Sequence, residues 1–174
     1  MTVDRTAPHH APTRAPARAV QNRIVAALQL EPMPALEWTT ERLKGQFEPL
    51  ASWSHLARII TGLGSAGMPY VVVQRIADPG KRFVQCLGMS ARLIVELGAL
   101  DASSGTQTVQ RVRQGRARAE SIDVHPDPER RQPADLSELL TADHFLRIAH
   151  DWLTIGIAPG FDLERVALDL RKCD

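Results

Sequence analysis

Three residues that could hold a metal ion or exchange protons lie near one another in sequence: His144, His150 and Asp151. Ligands on one helix face need a spacing of three or four residues. His144 and His150 are six residues apart, which is about 600° of helical rotation. With Asp143 and Arg147, His150 and Asp151 are instead typical of the solvated face of an amphipathic helix. We therefore predict no catalytic role for His150.

Other residues that could do chemistry are isolated. Cys86 lies in an apolar, β-branched run, where a thiol is usually a small core side chain. Glu96 lies between Val95 and Leu97, so we predict that it points to solvent or pairs with an arginine. The tripeptide 125–127, His-Pro-Asp, resembles part of a hydrolase or metal site, but no third partner has a diagnostic spacing. The sequence thus predicts no catalytic, cofactor-binding or metal site.

Four arginines, Arg111, Arg113, Arg116 and Arg118, form a short basic run. The chain as a whole has a net charge of +1, so it offers no general attraction for nucleic acid. The run has no interleaved aromatic residues for base stacking and no glycine-rich turn for phosphate. We interpret it as a solvated loop or exposed strand face, and nucleic-acid binding is not favoured.

The composition indicates one soluble domain preceded by a tail. The chain has 174 residues, of which 44% are hydrophobic, and no apolar run approaches the roughly 18 residues that span a membrane. Residues 1–18 lack periodicity, and Pro8, Pro12 and Pro16 interrupt any signal-peptide core. We predict a disordered tail over 1–18 and a single α+β domain over 19–174. Because only two cysteines are present, we expect a cytoplasmic protein without a disulfide framework.

The middle of the chain predicts an antiparallel meander. Tyr70–Ile76 is rich in β-branched residues and is followed by Asp-Pro-Gly-Lys at 78–81, a type II turn sequence. Phe83–Leu87 forms the returning strand and Arg92–Leu97 the third, while 117–124 alternates weakly enough for a fourth. The fold prediction is therefore an α+β domain with a meander of three to four strands packed against flanking helices.

Helical periodicity flanks this meander on both sides. We predict a helix over about 17–30, a short helical segment within 39–47, and a helix from Pro49 to Gly62. After the meander, Asp135 and Glu138 have the spacing of a capping box. Two further helices are predicted, one capped by Thr141 with an apolar face of Phe145, Leu146, Ala149, Trp152 and Leu153, and one from Asp162 through Leu163, Val166 and Leu170.

Several of these runs resemble those of a known superfamily. They are MPYVVVQ at 68–74, FVQCL at 83–87 and LIVEL at 93–97, preceded by a helix that contains Trp53 and Leu56. This pattern resembles the superfamily of type III secretion chaperones and YbjN-like proteins, including its actinobacterial peptide-binding chaperones, over about residues 48–172. The later run LTIGIAP at 153–159 is similar to the family's Leu-Gly-Trp-x-x-Pro-like ending, although two residues intervene before the glycine and isoleucine replaces tryptophan.

The resemblance implies a non-enzymatic protein-binding module without a cofactor. Families with this layout hold segments of client proteins against their sheet and helices and pair as homo- or hetero-dimers. The implied client surface involves Trp53, Tyr70, Val72 and Phe83. Two alternatives stay open: an immunity or antitoxin-type inhibitor protein, and a small nucleic-acid-binding regulator that uses the Arg111–Arg118 region. A small enzyme would instead require His125, His144 or His150 beside Glu96 or Cys86 in one pocket.

Overall fold

A seven-stranded antiparallel sheet organises the structure, a computed structural model that describes residues 15–28, 33–65, 68–89, 91–115, 120–124 and 133–166. Within those ranges the chain forms the helices α1 (Ala15–Leu28), α2 (Trp53–Thr61) and α3 (Ala142–Thr154). The strands are β1 (Leu36–Thr39), β2 (Glu48–Pro49), β3 (Tyr70–Arg75), β4 (Arg82–Met89), β5 (Arg92–Leu100), β6 (Gln107–Arg113), β7 (Ser121–Asp123), β8 (Pro133–Asp135) and β9 (Asp162–Val166). The sheet order is β2-β1-β3-β4-β5-β6-β9, and β7 pairs only with β8. The α+β class is confirmed, with a sheet larger than the three to four strands predicted.

The predicted meander forms the centre of this sheet as β3, β4 and β5. Val71 lies opposite Cys86, and Cys86 lies opposite Val95. The turn between β3 and β4 is closed by the Lys81 amide, which donates to the Asp78 carbonyl at 3.1 Å. Gly80 has φ +76°, as the third position of a type II turn requires. The turn chemistry predicted for residues 78–81 is therefore confirmed.

The two faces of the sheet differ in what covers them. Because side chains alternate along a strand, the residues of β3–β5 form two sets. One set is almost fully buried under the three helices: Val71, Val73, Val84, Cys86, Leu93, Val95 and Leu97. The other set forms what we call the second face and includes Tyr70, Val72, Phe83, Gln85, Leu87, Ile94 and Glu96. The helices therefore leave this second face to be covered by other parts of the chain or by solvent.

Helices α2 and α3 supply most of the core opposite the sheet. Ser52 caps α2 by accepting from the His55 amide at 3.1 Å, and Thr141 caps α3 by accepting from the His144 amide at 3.4 Å. The five apolar residues predicted for the inner face of α3 are all buried, as are Trp53, Leu56 and Ile60 on α2. Trp152 also donates its indole N–H to the Phe83 carbonyl at 2.9 Å, which fixes α3 to β4.

A small second layer lies on the second face of the sheet. It consists of β7, β8 and the 3-10 helix Leu136–Glu138, and we call it the flap. Val124 and Ala134 from this region pack with Ile94 of β5 into a buried apolar cluster that Leu87, Ile122 and Leu139 border. The predicted capping box is present at the 3-10 helix, where Asp135 accepts from the Ser137 amide and Glu138 accepts from the Asp135 amide. The flap covers only part of the face.

The helix predicted from Asp162 is wrong, because Asp162–Val166 forms strand β9 at the edge of the sheet. It pairs with β6, with Leu163 opposite Val112 and Glu164 opposite Arg111. Backbone pairing with an available sheet edge outweighs the local preference of a short segment. Residues 167–174, which held the rest of the predicted helix, lie outside the described residues.

Other boundaries also differ from the sequence prediction. The segment 39–47 contains only the 3-10 helix Glu41–Leu43, and α2 begins at Trp53 rather than Pro49. The predicted fourth strand at 117–124 is represented by β7 in the flap, since 116–119 lie outside the described residues. Strand β6 contains Arg111 and Arg113, the start of the basic run that we interpreted as a solvated loop or an exposed strand face. Helix α1 begins at Ala15, so the last four residues of the predicted tail are helical, and residues 1–14 are outside the described part.

Candidate functional site

The uncovered part of the second face contains an open trough of about 320 Å³. Three neighbouring strands line it, with Tyr70 and Val72 from β3, Gln85, Cys86 and Leu87 from β4, and Ile94 and Glu96 from β5. The register arranges the second-face side chains in two rows across the strands. The apolar row is Tyr70, Leu87 and Ile94. The other row is Val72, Gln85 and Glu96, and we call it the polar row because of the Gln85 and Glu96 side chains. The trough thus presents an apolar and a polar strip side by side.

Hydrogen bonds fix the Gln85 and Glu96 side chains of the polar row. The Gln85 amide nitrogen donates to Glu96 Oε2 at 2.6 Å. Arg111 of β6 donates through Nε and Nη2 to Glu96 Oε1, at 3.1 and 2.7 Å. Of the two alternatives predicted for Glu96, exposure to solvent or pairing with an arginine, the pairing with an arginine is confirmed.

The ion pair of Glu96 continues into a longer chain of charges. Glu138 from the flap lies 3.6 Å from Arg111 Nη1 and 3.1 Å from Arg113 Nη2, and Arg113 also pairs with Glu164 of β9. The Glu138 side chain is only 6% exposed. This chain connects β5, β6, β9 and the flap. Arg111 and Arg113 are therefore engaged by carboxylates, while Arg116 and Arg118 lie outside the described residues.

Tyr70 stands at the end of the apolar row and is partly exposed. Burial, followed by the negative charge of Glu41, raises the pKa of its phenol. The phenol is therefore neutral at pH 7, and its hydroxyl can both donate and accept a hydrogen bond.

The structure separates the four residues that the sequence assigned to a client surface. Tyr70 and Val72 line the trough. Phe83 lies on the same face, where its ring covers Gly98 so closely that a Cβ at position 98 would overlap it. Trp53 is 2% exposed and lies in the core, with its ring 5.5 Å from that of His150. Only three of the four thus share a face, and Trp53 is a core residue.

The titratable residues considered for catalysis do not converge on the trough. His150 is buried against Trp53 with Nδ1 2.7 Å from Asp151 Oδ1, so its placement on a solvated helix face is wrong. His144 accepts from the Thr141 amide at the start of α3, and burial lowers its pKa. Cys86 is 1% exposed, which confirms it as a core thiol, and burial raises its pKa. His125 and Cys173 are outside the described residues.

Within the described ranges, no group of three or more His, Cys, Asp or Glu side chains could hold a metal ion. Among the same residues, no helix is long and apolar enough to cross a membrane. No family model, curated protein or solved structure matches this chain.

Four second-face residues that line the trough were not assigned to a client surface from the sequence: Gln85, Leu87, Ile94 and Glu96. Their shared face followed from the alternation along the second and third strands, which was visible in the sequence. Which face the helices would leave uncovered was not visible, because that depends on where the chain places α1, α2 and the flap.

Proposed function

We propose that this protein is a non-enzymatic, chaperone-like binding module that holds a segment of a client protein in the trough. The observation that carries the proposal is that Tyr70, Val72 and Leu87 line the trough and remain partly exposed on a sheet face that the helices leave uncovered. In an antiparallel sheet with one buried face, the other face is commonly polar. A partly exposed tyrosine, valine and leucine at one place are instead the kind of anchors that protein interfaces use.

The resemblance to type III secretion chaperones and YbjN-like proteins supports the same proposal. Three of the runs that resemble those proteins, at 68–74, 83–87 and 93–97, overlap β3, β4 and β5. The same three strands line the trough. We further propose that the module acts in the cytoplasm as a homo- or hetero-dimer. With only two cysteines, its stability rests on burial rather than on disulfides, which suits a reducing compartment.

The trough itself favours binding over catalysis. His144 and His150 lie on α3, which packs on the opposite face of the sheet. The Cys86 thiol is buried and its pKa is raised, so it is a poor nucleophile at neutral pH. Glu96 is engaged by Gln85 and Arg111. A deep pocket with converging acids and bases would have favoured an enzyme.

The proposal is tested by selecting ligands and then truncating an anchor. A random library of twelve-residue peptides is panned against the purified protein, and the dissociation constants of retained peptides are measured. We expect Tyr70→Ala to weaken binding by about 2 kcal/mol, roughly thirtyfold, because it removes a large anchor at the trough. Ile157→Ala is the control, since Ile157 is an exposed apolar residue after α3 and away from the trough.

The melting temperature of each variant separates loss of binding from loss of folding. Failure to retain any peptide, or equal weakening by Tyr70→Ala and Ile157→Ala, would contradict a binding trough on the second face.

A further inference from the structure

We infer that the trough selects client segments in which a lysine or arginine lies two residues from a large apolar side chain, with Glu96 receiving the basic group. This inference rests on the proposed function and adds the chemical class of the client. On the trough, the Glu96 carboxylate accepts a hydrogen bond from the Gln85 side chain at 2.6 Å.

The charges around the trough favour a basic ligand. Glu96 is the one charged residue among those that line it in the described chain. On the same face, the connected ion pairs contain three carboxylates, from Glu96, Glu138 and Glu164, but two guanidinium groups. The charge of Glu41 also reaches the trough, because it helps to raise the pKa of Tyr70. These carboxylates together attract a cation more than an anion.

The cation closest to Glu96 on the second face is Arg111, which is shared between Glu96 and Glu138, and β5 itself carries a further one. Arg92 lies two residues before Ile94, is exposed at the end of the strand, and does not line the trough. Solvent screens such an exposed charge more strongly than the partly buried Glu96. The local preference is therefore set by Glu96.

Glu96 has capacity for one more hydrogen-bond donor. An ionised carboxylate offers about four lone-pair sites. Arg111 donates to Oε1 through two nitrogens, while among the described residues Oε2 accepts from Gln85 alone. Arg111 is also shared with Glu138, so its charge is not given to Glu96 alone. The Glu96 side chain is 17% exposed, which leaves it reachable but partly desolvated, where a charge-assisted hydrogen bond is strong.

The spacing of the two rows determines the spacing of the client side chains. Leu87 and Gln85 are two residues apart on β4, as are Ile94 and Glu96 on β5, so the rows are about 6.6–6.8 Å apart. An extended client that runs along the strands presents its residues i and i+2 on one side with the same separation. An apolar residue at i then contacts Tyr70 and Leu87, which are partly exposed, while a basic residue at i+2 reaches Glu96.

The size of the trough fits a short motif of this kind. A volume of about 320 Å³ is at the lower end of the range for ligand pockets, roughly 300–1,000 Å³. It therefore accommodates a few side chains rather than a folded element. The trough therefore recognises the client through the side chains at its positions i and i+2.

The experiment uses the twelve-residue peptides retained by the full-length protein. We expect retained sequences to be enriched in lysine or arginine two positions from leucine, isoleucine or phenylalanine. Replacing that basic residue by glutamine in the peptide should weaken binding about tenfold, as for loss of a hydrogen bond to a charged group. Glu96→Gln in the protein should weaken the original peptide equally and abolish the difference between the two peptides. Glu48→Gln, at an exposed acid on β2, should change neither.

A second pair of variants keeps the test valid if Glu96→Gln fails to fold. Val72 is partly exposed and belongs to the polar row but to no ion pair. Val72→Lys should weaken basic peptides at least tenfold relative to Val72→Glu, because the two variants place charges of opposite sign beside Glu96.

The outcomes distinguish this inference from the proposed function. Peptides that lose binding with Tyr70→Ala but lack a basic residue, or bind Val72→Lys and Val72→Glu equally, would overturn the inference and leave the binding trough intact. If no retained peptide depends on Tyr70, both are wrong.

Discussion

Gly80 shows how one residue sets the geometry of a hairpin that borders the candidate site. Its φ of +76° is in the region that glycine adopts without strain, and a Cβ there would meet no atom within 4 Å. The Gln74 side chain reinforces the turn by accepting from the Gly80 amide at 3.0 Å and donating to Glu37 at 2.7 Å. Any cost of substitution at position 80 therefore comes from the backbone and not from crowding.

We expect Gly80→Val to lower the free energy of unfolding by about 1 kcal/mol or more, because a β-branched residue is strained at positive φ. Asparagine tolerates this conformation better, so Gly80→Asn should cost less. Chemical denaturation of both variants measures the difference. Equal stability of wild type and Gly80→Val would contradict a type II turn at residues 78–81.

His144 makes the start of α3 sensitive to pH. Its Nδ1 accepts from the Thr141 amide, and burial lowers its pKa below the ordinary value near 6.5. The unfolded chain therefore binds a proton more readily than the folded one. The stability that His144 contributes is present above pH 6.5 and is lost as the pH falls through the unfolded and then the folded pKa.

His144→Gln should consequently flatten the dependence of unfolding free energy on pH between 7.5 and 5.5. Glutamine preserves the capping box and does not titrate. Urea denaturation at several pH values provides the comparison. A steeper slope in the variant than in wild type would show that this histidine is not favoured in its neutral form.

At the scale of elements, Glu138 fixes the flap beside the trough. It pairs with Arg111 and Arg113 and also accepts from the Asp135 amide, so one carboxylate joins the flap to β6. Breaking a buried ion pair costs roughly 3–5 kcal/mol, and each arginine here retains a second carboxylate. We therefore expect Glu138→Ala to cost about 2 kcal/mol.

Glu164→Ala serves as the comparison in thermal or urea unfolding. Glu164 pairs with the same Arg113, but its side chain is 53% exposed, so its removal should cost about 0.2–1 kcal/mol. If Glu138→Ala and Glu164→Ala were equally mild, the flap would not be held by this ion pair.

The elements that were predictable from the sequence are those specified by local residues. Strands β3 to β5 have β-branched alternation and a turn sequence, and α2 and α3 have a cap and an apolar stripe. Strand β6 was not predictable, because its arginines are neutralised by Glu96, Glu138 and Glu164 from distant segments. The same holds for β9, whose backbone is paired only once β6 is in place. Pairing with distant segments therefore determines that β6 and β9 are strands, which the local periodicity of their residues does not indicate.

The candidate site was predictable to the extent that alternation assigns residues to a face. Tyr70 and Val72, which the family resemblance implied for a client surface, lie on one strand face and line the trough, and Phe83 lies on that face. Trp53 was selected for its size, which suits an interface anchor and a core residue equally. Its burial follows from the packing of α2 against α3 and the sheet, which the sequence of α2 does not specify.

At the scale of the whole molecule, two of the exposed apolar regions in the described part of the chain are candidates for receiving a partner. One is the trough on the second face. The other consists of Ile155, Ile157 and Leu163, which follow α3 along the chain and are 64%, 52% and 38% exposed. We propose that the client binds in the trough, because the apolar and polar rows lie side by side there.

The most direct test is an NMR titration of the isotope-labelled protein with a retained peptide that contains the apolar and basic pair. Chemical-shift changes report which amides and methyl groups the peptide contacts. Our account predicts that the largest changes lie at Val72, Leu87 and Ile94, with Ile155 and Ile157 unchanged. Changes concentrated at Ile155, Ile157 and Leu163, with the trough residues unaffected, would contradict it.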